Sequence, residues 1–105
     1  MEVDADDVEV QRFAAMLVKG VRNNLPEIDQ VLSASSRNWR LERMTWVDRN
    51  LLRLAAYELR DVKSVPARVA INEAIELAKR FGTVESPSFI NGVLDRVMET
   101  MGRRS

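Results

Sequence analysis

Two groups of residues in the sequence have the types and the spacing that chemistry needs. Glu73 and Glu76 lie three residues apart, so on a helix they share a face and could transfer protons or bind a metal ion. No third ligand lies nearby, so a solvated helix face is the simpler interpretation. Arg49 and Arg53 lie four residues apart and could contact phosphate. Packing of Arg53 over Tyr57, a further four residues along, is an equal alternative.

The absent residue types narrow the function classes further. The chain contains no His and no Cys, which excludes imidazole bases, thiol nucleophiles, Cys/His zinc sites and disulfides. Its 16 basic and 16 acidic residues balance, so the net charge does not attract nucleic acid or membrane to the surface as a whole. No apolar run approaches the roughly 18 residues of a membrane span, and the acidic start is wrong for a signal peptide. We expect a cytoplasmic binding module, not an enzyme, with no cofactor, no metal and no membrane partner.

The apolar spacing is helical throughout and predicts one all-α domain over residues 1–105. Gly82 is expected to adopt the left-handed conformation that ends many helices. Ser86 and Pro87 predict an N-cap followed by a first-turn proline. A polar break is expected at residues 33–36. The predicted helices span residues 6–24, a short stretch after 26, 42–60, 66–81 and 86–102.

Three strings in the second half of the chain carry a family resemblance. Residues 71–82 read INEAIELAKRFG, residues 89–95 read FINGVLD, and residues 47–59 read VDRNLLRLAAYEL. In this order and spacing they resemble the C-terminal signature and the long central helix of NusB, a family of bacterial transcription antitermination factors. The dipeptide Val65-Pro66 fits the same pattern. The resemblance covers about residues 8–101 and is strong from Trp39 onward.

The resemblance implies a fold, a function and a set of contact residues. The fold would be a compact NusB-like bundle of about five helices. The function would be non-catalytic: binding boxA RNA together with the ribosomal protein NusE, in the transcription elongation complex on rRNA operons. The loop from Phe81 to Phe89 would face RNA, with contacts from Arg80, Glu85, Ser88 and Phe89. Glu42 and Asp48 are the acids expected to meet the basic ribosomal partner.

Several of these residues also have a structural interpretation. Phe89 could stack on a base or pack in the core, and both interpretations stay open. Trp39 and Trp46 are expected to pack between helices. Asn72 and Asn91 lie among apolar residues and are expected to form hydrogen bonds between the last two helices. Gly92 would allow another helix to approach closely.

The front of the chain departs from the family pattern. NusB proteins are typically about a third longer and open with an Arg-rich helix that this sequence lacks. Three explanations of the missing helix are open: the chain is a fragment, its start was mis-called, or it is a divergent paralogue. A protein-only interaction domain that has lost RNA binding is the alternative function. The NusB-like domain of rRNA cytosine methyltransferases is a less suitable match, because the chain stops soon after the last helix. A homodimer is also expected, joined through an exposed stripe made of Val10, Phe13, Leu17 and Val21.

Overall fold

A computed structural model describes residues 8–36 and 40–102, with side chains from residue 14 onward. Within these ranges the chain forms helices and turns without any strand, so the predicted all-α class is confirmed. A short 3-10 turn at Leu41–Arg43 stands between the second and third helices. The helices are α1 (Val8–Asn23), α2 (Leu25–Ser35), α3 (Trp46–Asp61), α4 (Ala67–Phe81) and α5 (Ser86–Thr100).

Helix α3 lies at the centre of the bundle and packs against the other four helices. Leu52 and Leu59 on α3 are fully buried, as are Ile71 on α4 and Leu94 on α5. These large aliphatic side chains form the core, because fully burying each one stabilises the fold by about 1.5–3 kcal/mol. Small residues on α3 and α4 let the helices approach one another, and the buried ones are Ala55, Ala56, Ala67, Ala70, Ala74 and Ala78.

The junction between α1 and α2 follows the sequence signals, whereas the end of α2 does not. The Asn24 side chain donates to the Gly20 carbonyl at 2.8 Å, and Pro26 lies in the first turn of α2. The predicted polar break at 33–36 is wrong for its first three residues, because α2 continues to Ser35. Ser35 and Ser36 are buried, and Arg96 of α5 donates to the Ser35 carbonyl. This contact satisfies a helix-end acceptor that would otherwise lack a partner.

Helix α3 begins four residues later than predicted. Met44 is extended (φ −73°, ψ 152°), so the chain turns before the helix starts. Thr45 is the N-cap, and its Oγ1 accepts a hydrogen bond from the Asp48 amide at 3.1 Å. A threonine followed three residues later by an acid is a common helix start, which was present in the sequence as Thr45-Trp46-Val47-Asp48.

The connection from α4 to α5 also differs from the prediction. Gly82 is not left-handed but extended, with φ −95° and ψ −164°. A β-carbon at this position would lie 2.5 Å from the Ser86 Oγ and 2.9 Å from the Ala78 carbonyl, so glycine is required here for space. Ser86 is the first residue of α5 and Glu85 is its N-cap. The left-handed glycine is Gly102 (φ 67°), after the end of α5.

The arginine and tyrosine on α3 do not stack on each other. Arg53 instead forms a two-pronged ion pair with Asp29 of α2, at 2.8 and 2.9 Å. Arg49 is half-buried and donates to the Leu41 carbonyl at 3.4 Å. Both arginines therefore connect elements of the bundle, and the prediction of an Arg53–Tyr57 pair is wrong. Tyr57 packs against the core and faces Gly20 of α1.

The apolar stripe on α1 is covered where its side chains are described. Leu17 is buried at 9% exposure and Val21 packs against the core, so the expectation that they are exposed is wrong. The side chains of Val10 and Phe13 lie outside the described residues. Two other side chains on α1 are exposed instead, namely Met16 and Val18, at 43% and 51%.

Close helix approach occurs at Gly20, not at Gly92. A β-carbon at Gly20 would overlap the Tyr57 ring, whereas a β-carbon at Gly92 would meet nothing within 4 Å. The expectation that Gly92 allows a neighbouring helix to come close is therefore wrong. The two glycines nevertheless both lie inside helices, where glycine is intrinsically unfavourable.

This difference makes the two glycines a matched pair for mutation. Gly92→Ala should raise the free energy of unfolding by about 0.5–1 kcal/mol, because alanine favours the helix and has room. Gly20→Ala should lower it by about 1–3 kcal/mol, because the Tyr57 ring must move. Urea denaturation measures both values. Adding Tyr57→Ala should remove the cost of Gly20→Ala, and equal effects at both glycines would contradict the contact.

Glu58 is a buried acid in the middle of the core helix. Its side chain is 6% exposed, and Oε2 has no hydrogen-bond partner among the described residues. Burial, together with the negative charge of Glu73 on α4, raises the pKa of Glu58 from 4.5 to about 7. The protonated form is favoured because a neutral carboxyl loses less hydration on burial than a carboxylate does.

This shift predicts how stability changes with pH. The folded state holds the Glu58 proton more tightly than the unfolded state, so the stabilisation present below pH 4.5 is lost as the pH rises through about 7. At about 1.36 kcal/mol per pKa unit, the loss amounts to roughly 3–4 kcal/mol. Glu58→Gln should be more stable than wild type at pH 8 and nearly equal at pH 4.5. Parallel unfolding curves for the two proteins across this range would contradict the assignment.

Candidate RNA and protein interface

A cleft opens at the end of the bundle where α3 begins and α4 connects to α5. Its volume is about 240 Å³. One wall comes from the 3-10 turn and the first turn of α3, and the other comes from the α4–α5 loop and the first turn of α5. The lining residues are Arg43, Met44, Thr45, Asp48, Thr83, Glu85, Ser86 and Phe89.

Local hydrogen bonds hold both walls in place. On one side Thr45 caps α3 through the Asp48 amide. On the other side the buried Ser86 Oγ accepts from the Thr83 amide at 2.9 Å and lies 3.2 Å from the Thr83 hydroxyl. These bonds hold the loop against α5, so the walls of the cleft are formed before any ligand binds. Neither threonine was predicted from the sequence, although the Thr45 cap is visible there as a motif.

Of the four residues expected to contact RNA, Glu85 and Phe89 line this cleft, and Ser88 and Arg80 do not. Glu85 is exposed and lies at the N-cap of α5, and Phe89 lies one turn further on. Phe89 is half-buried, so it packs against the core and also lines the cleft. Ser88 is exposed on the first turn of α5 outside the lining. Arg80 is exposed on the last turn of α4, with its guanidinium 5.4 Å from the centre of the Phe81 ring.

The two acids expected to meet a protein partner are separated by the structure. Asp48 lines the cleft and is only 8% exposed, and its Oδ1 has no hydrogen-bond partner among the described residues. Glu42 is exposed on the 3-10 turn and does not line the cleft. The cleft therefore brings together Asp48, which was assigned to protein binding, with Glu85 and Phe89, which were assigned to RNA binding.

Exposed apolar side chains flank the cleft. Trp46 is 69% exposed beside the lining residue Thr45, and Val84 is 98% exposed beside Thr83. Phe81, at the end of α4, is 61% exposed. The expectation that Trp46 packs between helices is wrong. Asp48 faces inward, and residues two positions apart on a helix point about 200° apart, so Trp46 faces solvent. Trp39 lies outside the described residues.

The remaining polar residues of interest do not form a second site. Glu73 and Glu76 are exposed, and Glu76 pairs with Lys79 at 3.2 Å, as a solvated helix face would. Among the side chains that the structure describes, no group of three acids is placed to hold a metal ion. In the same part of the chain, no helix has the length and apolar character to cross a membrane.

The asparagine amides are not the buried pair predicted from the sequence. Asn72 is exposed on α4, so the premise that it lies among buried apolar side chains is wrong. It occupies the solvent side between the buried Ile71 and Ala74. Asn91 on α5 is half-buried. Neither side-chain amide takes part in a hydrogen bond with another described residue.

Comparison with known proteins identifies a family. A family model described as the NusB family matches residues 3–99. Transcription antitermination protein NusB from Sorangium cellulosum (strain So ce56) is 50% identical over 97 residues, which cover 92% of this chain and 69% of that protein.

Solved structures agree with this match. A structure of T. maritima NusB has a TM-score of 0.84 and 44% identity, over 92% of this chain and 69% of that one. A chain in the crystal structure of a plectonemic RNA supercoil has a TM-score of 0.83 and 25% identity, over 100% of this chain and 73% of that one. With a family model matched along nearly its whole length and a half-identical NusB relative, the chain belongs to the NusB family.

Proposed function

We propose that this protein is a non-catalytic transcription antitermination factor of the cytoplasm that binds boxA-type RNA together with the ribosomal protein NusE. The observation that carries the proposal is the cleft at the start of α3 and α5, where the residues assigned to RNA and to the protein partner meet. The name of the S. cellulosum relative supports the antitermination role. The RNA-containing structural neighbour supports a connection to RNA.

RNA contact is assigned to the α5 side of the cleft. Glu85 and Phe89 line it there, while Ser88 and Arg80 lie exposed on the adjoining turns of α5 and α4. An aromatic edge beside hydrogen-bonding side chains is the arrangement that single-stranded RNA uses for stacking and base contact. Arg80 supplies the positive charge that attracts a phosphate.

The second candidate function is a protein-only interaction domain, and the charge of the cleft favours it. Two acids, Asp48 and Glu85, and one base, Arg43, line the cleft. Such a lining repels phosphate more than it attracts it. The exposed Trp46, Phe81 and Val84 beside the cleft are the type of apolar surface that protein interfaces bury.

A filter-binding titration separates the two functions. We expect the chain alone to bind boxA-type RNA only weakly, and tighter binding once NusE is added. Because the contacts are scattered phosphate contacts, RNA affinity should fall steeply as the salt concentration rises. Arg80→Gln should reduce the slope of the logarithm of the binding constant against the logarithm of the salt concentration by about 1. Lys63→Gln, at the opposite end of α3, is the matched control. Sub-micromolar binding by the chain alone at physiological salt contradicts weak binding, and no binding even with NusE favours the protein-only function.

A homodimer remains part of the proposal, through a groove whose described lining shares only Val21 with the predicted stripe. A groove of about 380 Å³ lies between α1, α2 and α3, lined by apolar Val18, Val21, Leu25 and Leu54 as well as by polar side chains. Met16 and Val18 are exposed on the same helix. Covering such apolar area stabilises association by about 25 cal/mol per Å² before ordering costs.

The homodimer is tested by sedimentation velocity at tens of micromolar protein. We expect reversible self-association of the wild type, and Val18→Lys should weaken it because a charge would be buried in the groove. Val69→Lys is the matched control, because Val69 is similarly exposed, at 44%, on α4. A wild-type protein that remains monomeric at all concentrations would rule out this surface as a dimer interface.

A further inference from the structure

We infer that Ser86 is a positioning residue for RNA, because its buried hydroxyl holds the α4–α5 loop in the shape that presents Glu85 and Phe89 to a nucleotide. This inference rests on the proposed function, from which it takes the RNA contacts, and adds the group that fixes them in place. Ser86 is only 1% exposed, so it does not itself touch RNA. Its effect on RNA binding passes through the loop.

The first observation is a reciprocal pair of hydrogen bonds between Thr83 and Ser86. The Ser86 Oγ accepts from the Thr83 amide at 2.9 Å, and the Ser86 amide donates to the Thr83 carbonyl at 3.1 Å. The two hydroxyls lie 3.2 Å apart, so one donates to the other. These bonds close a ring that contains Val84 and Glu85. The two ends of this short stretch cannot move apart without breaking them.

The second observation is that Gly82 leaves the space that the Ser86 hydroxyl occupies. A β-carbon at Gly82 would lie 2.5 Å from the Ser86 Oγ and 2.7 Å from the Ser86 β-carbon. The backbone of Gly82 has φ −95°, which other residues also adopt, so the glycine is needed for space and not for its conformational freedom. Gly82 and Ser86 therefore fit each other, and the hydroxyl is part of the packing that fixes the loop.

The third observation is that the loop has little else to hold it. Val84 is 98% exposed, and the Glu85 side chain is exposed and caps no backbone amide. The Phe89 amide donates to the Glu85 carbonyl at 3.1 Å, so the position of Glu85 is linked to the first turn of α5. A loop that is ordered before binding loses less conformational freedom when RNA binds, and this raises affinity.

Ser35 is a matched control for Ser86. It is buried to a similar degree, at 2% exposure, but its Oγ has no hydrogen-bond partner among the described residues. Ser35→Ala therefore removes a hydroxyl that holds no other described group. Ser86→Ala leaves the Thr83 amide without its acceptor, which loosens the loop.

Calorimetric titration of the full chain with boxA-type RNA, in the presence of saturating NusE, tests the inference. Ser86→Ala should weaken RNA binding about tenfold, because the loop must then be ordered as the RNA binds. Thr83→Val removes only the hydroxyl of an exposed residue and keeps the amide bond to Ser86, so it should cost about threefold. Ser35→Ala should leave the RNA affinity within about twofold of wild type, since no hydrogen bond is lost.

A double-mutant cycle separates positioning from a merely structural role. Glu85→Ala removes one of the groups that Ser86 positions, and Glu85 is exposed, so the fold is retained. In this background Ser86→Ala should cost about threefold or less in RNA affinity, because part of what it positioned is already absent. Amide hydrogen exchange in the free chain provides the independent measure of the loop. The Thr83 amide should exchange faster in Ser86→Ala and at the wild-type rate in Ser35→Ala.

The outcomes separate the inference from the proposed function. If Ser86→Ala binds RNA as tightly as wild type while its Thr83 amide exchanges faster, the inference is overturned and the proposed function stands. An undiminished loss in the Glu85→Ala background, or an equal loss in Ser35→Ala, would make the effect structural and would also overturn it. If wild type binds no RNA even with NusE, the proposed function fails and the inference fails with it.

Discussion

Helix α3 can bury its inner face only when the other four helices cover it together. Leu52 and Leu59 are fully buried, and Ala55 and Ala56 between them are small enough for neighbouring helices to lie close. Because α3 contacts every other helix, its position fixes theirs. The cleft depends on the same constraint, since its two walls are the start of α3 and the start of α5, which pack against each other further along.

The polar groups of α3 divide into those that stabilise the bundle and those that do not. Arg53 pairs with Asp29 and fixes α2 against α3, which gives a partly buried ion pair in which Nε and Nη2 of the guanidinium each donate to one carboxylate oxygen. Glu58 and Asp48 each have a buried oxygen without a hydrogen-bond partner among the described residues. Glu58 can reduce the free-energy cost of its burial by holding a proton near neutral pH. Asp48 differs because it lines the cleft, whereas Glu58 does not.

The sequence predicted the helices well because their apolar periodicity and proline positions are local signals. The beginning of α3 was misplaced by four residues and the N-cap of α5 by one, since Met44 and Glu85 adopt conformations that depend on the loops they join. The roles of Gly20, Gly82 and Gly92 were not predictable in the same way. A glycine's role depends on which neighbouring group faces it, and here these groups are Tyr57, Ser86 and open space.

The site was predictable only in part for a related reason. The resemblance named residues on both walls of the cleft, but it treated the walls as separate surfaces for RNA and for protein. Their meeting in one cleft is a tertiary feature, because Asp48 and Glu85 are far apart in sequence and no spacing rule connects them. Trp46 was expected to be buried because it is hydrophobic, and Asn72 because its neighbours in sequence are apolar. Each nevertheless lies on the outer side of its helix.

A shared cleft has a consequence for how two ligands would act on each other. A cation that enters the cleft would neutralise the formal charge of −1 on its lining, and repulsion of a nearby phosphate would fall. Phosphate attraction by Arg80 and Arg43 would then be opposed by less negative charge. Binding of either ligand would strengthen binding of the other by the same factor, as linkage requires. Cooperation of this kind needs no change of shape, only two ligands of opposite charge that bind beside each other.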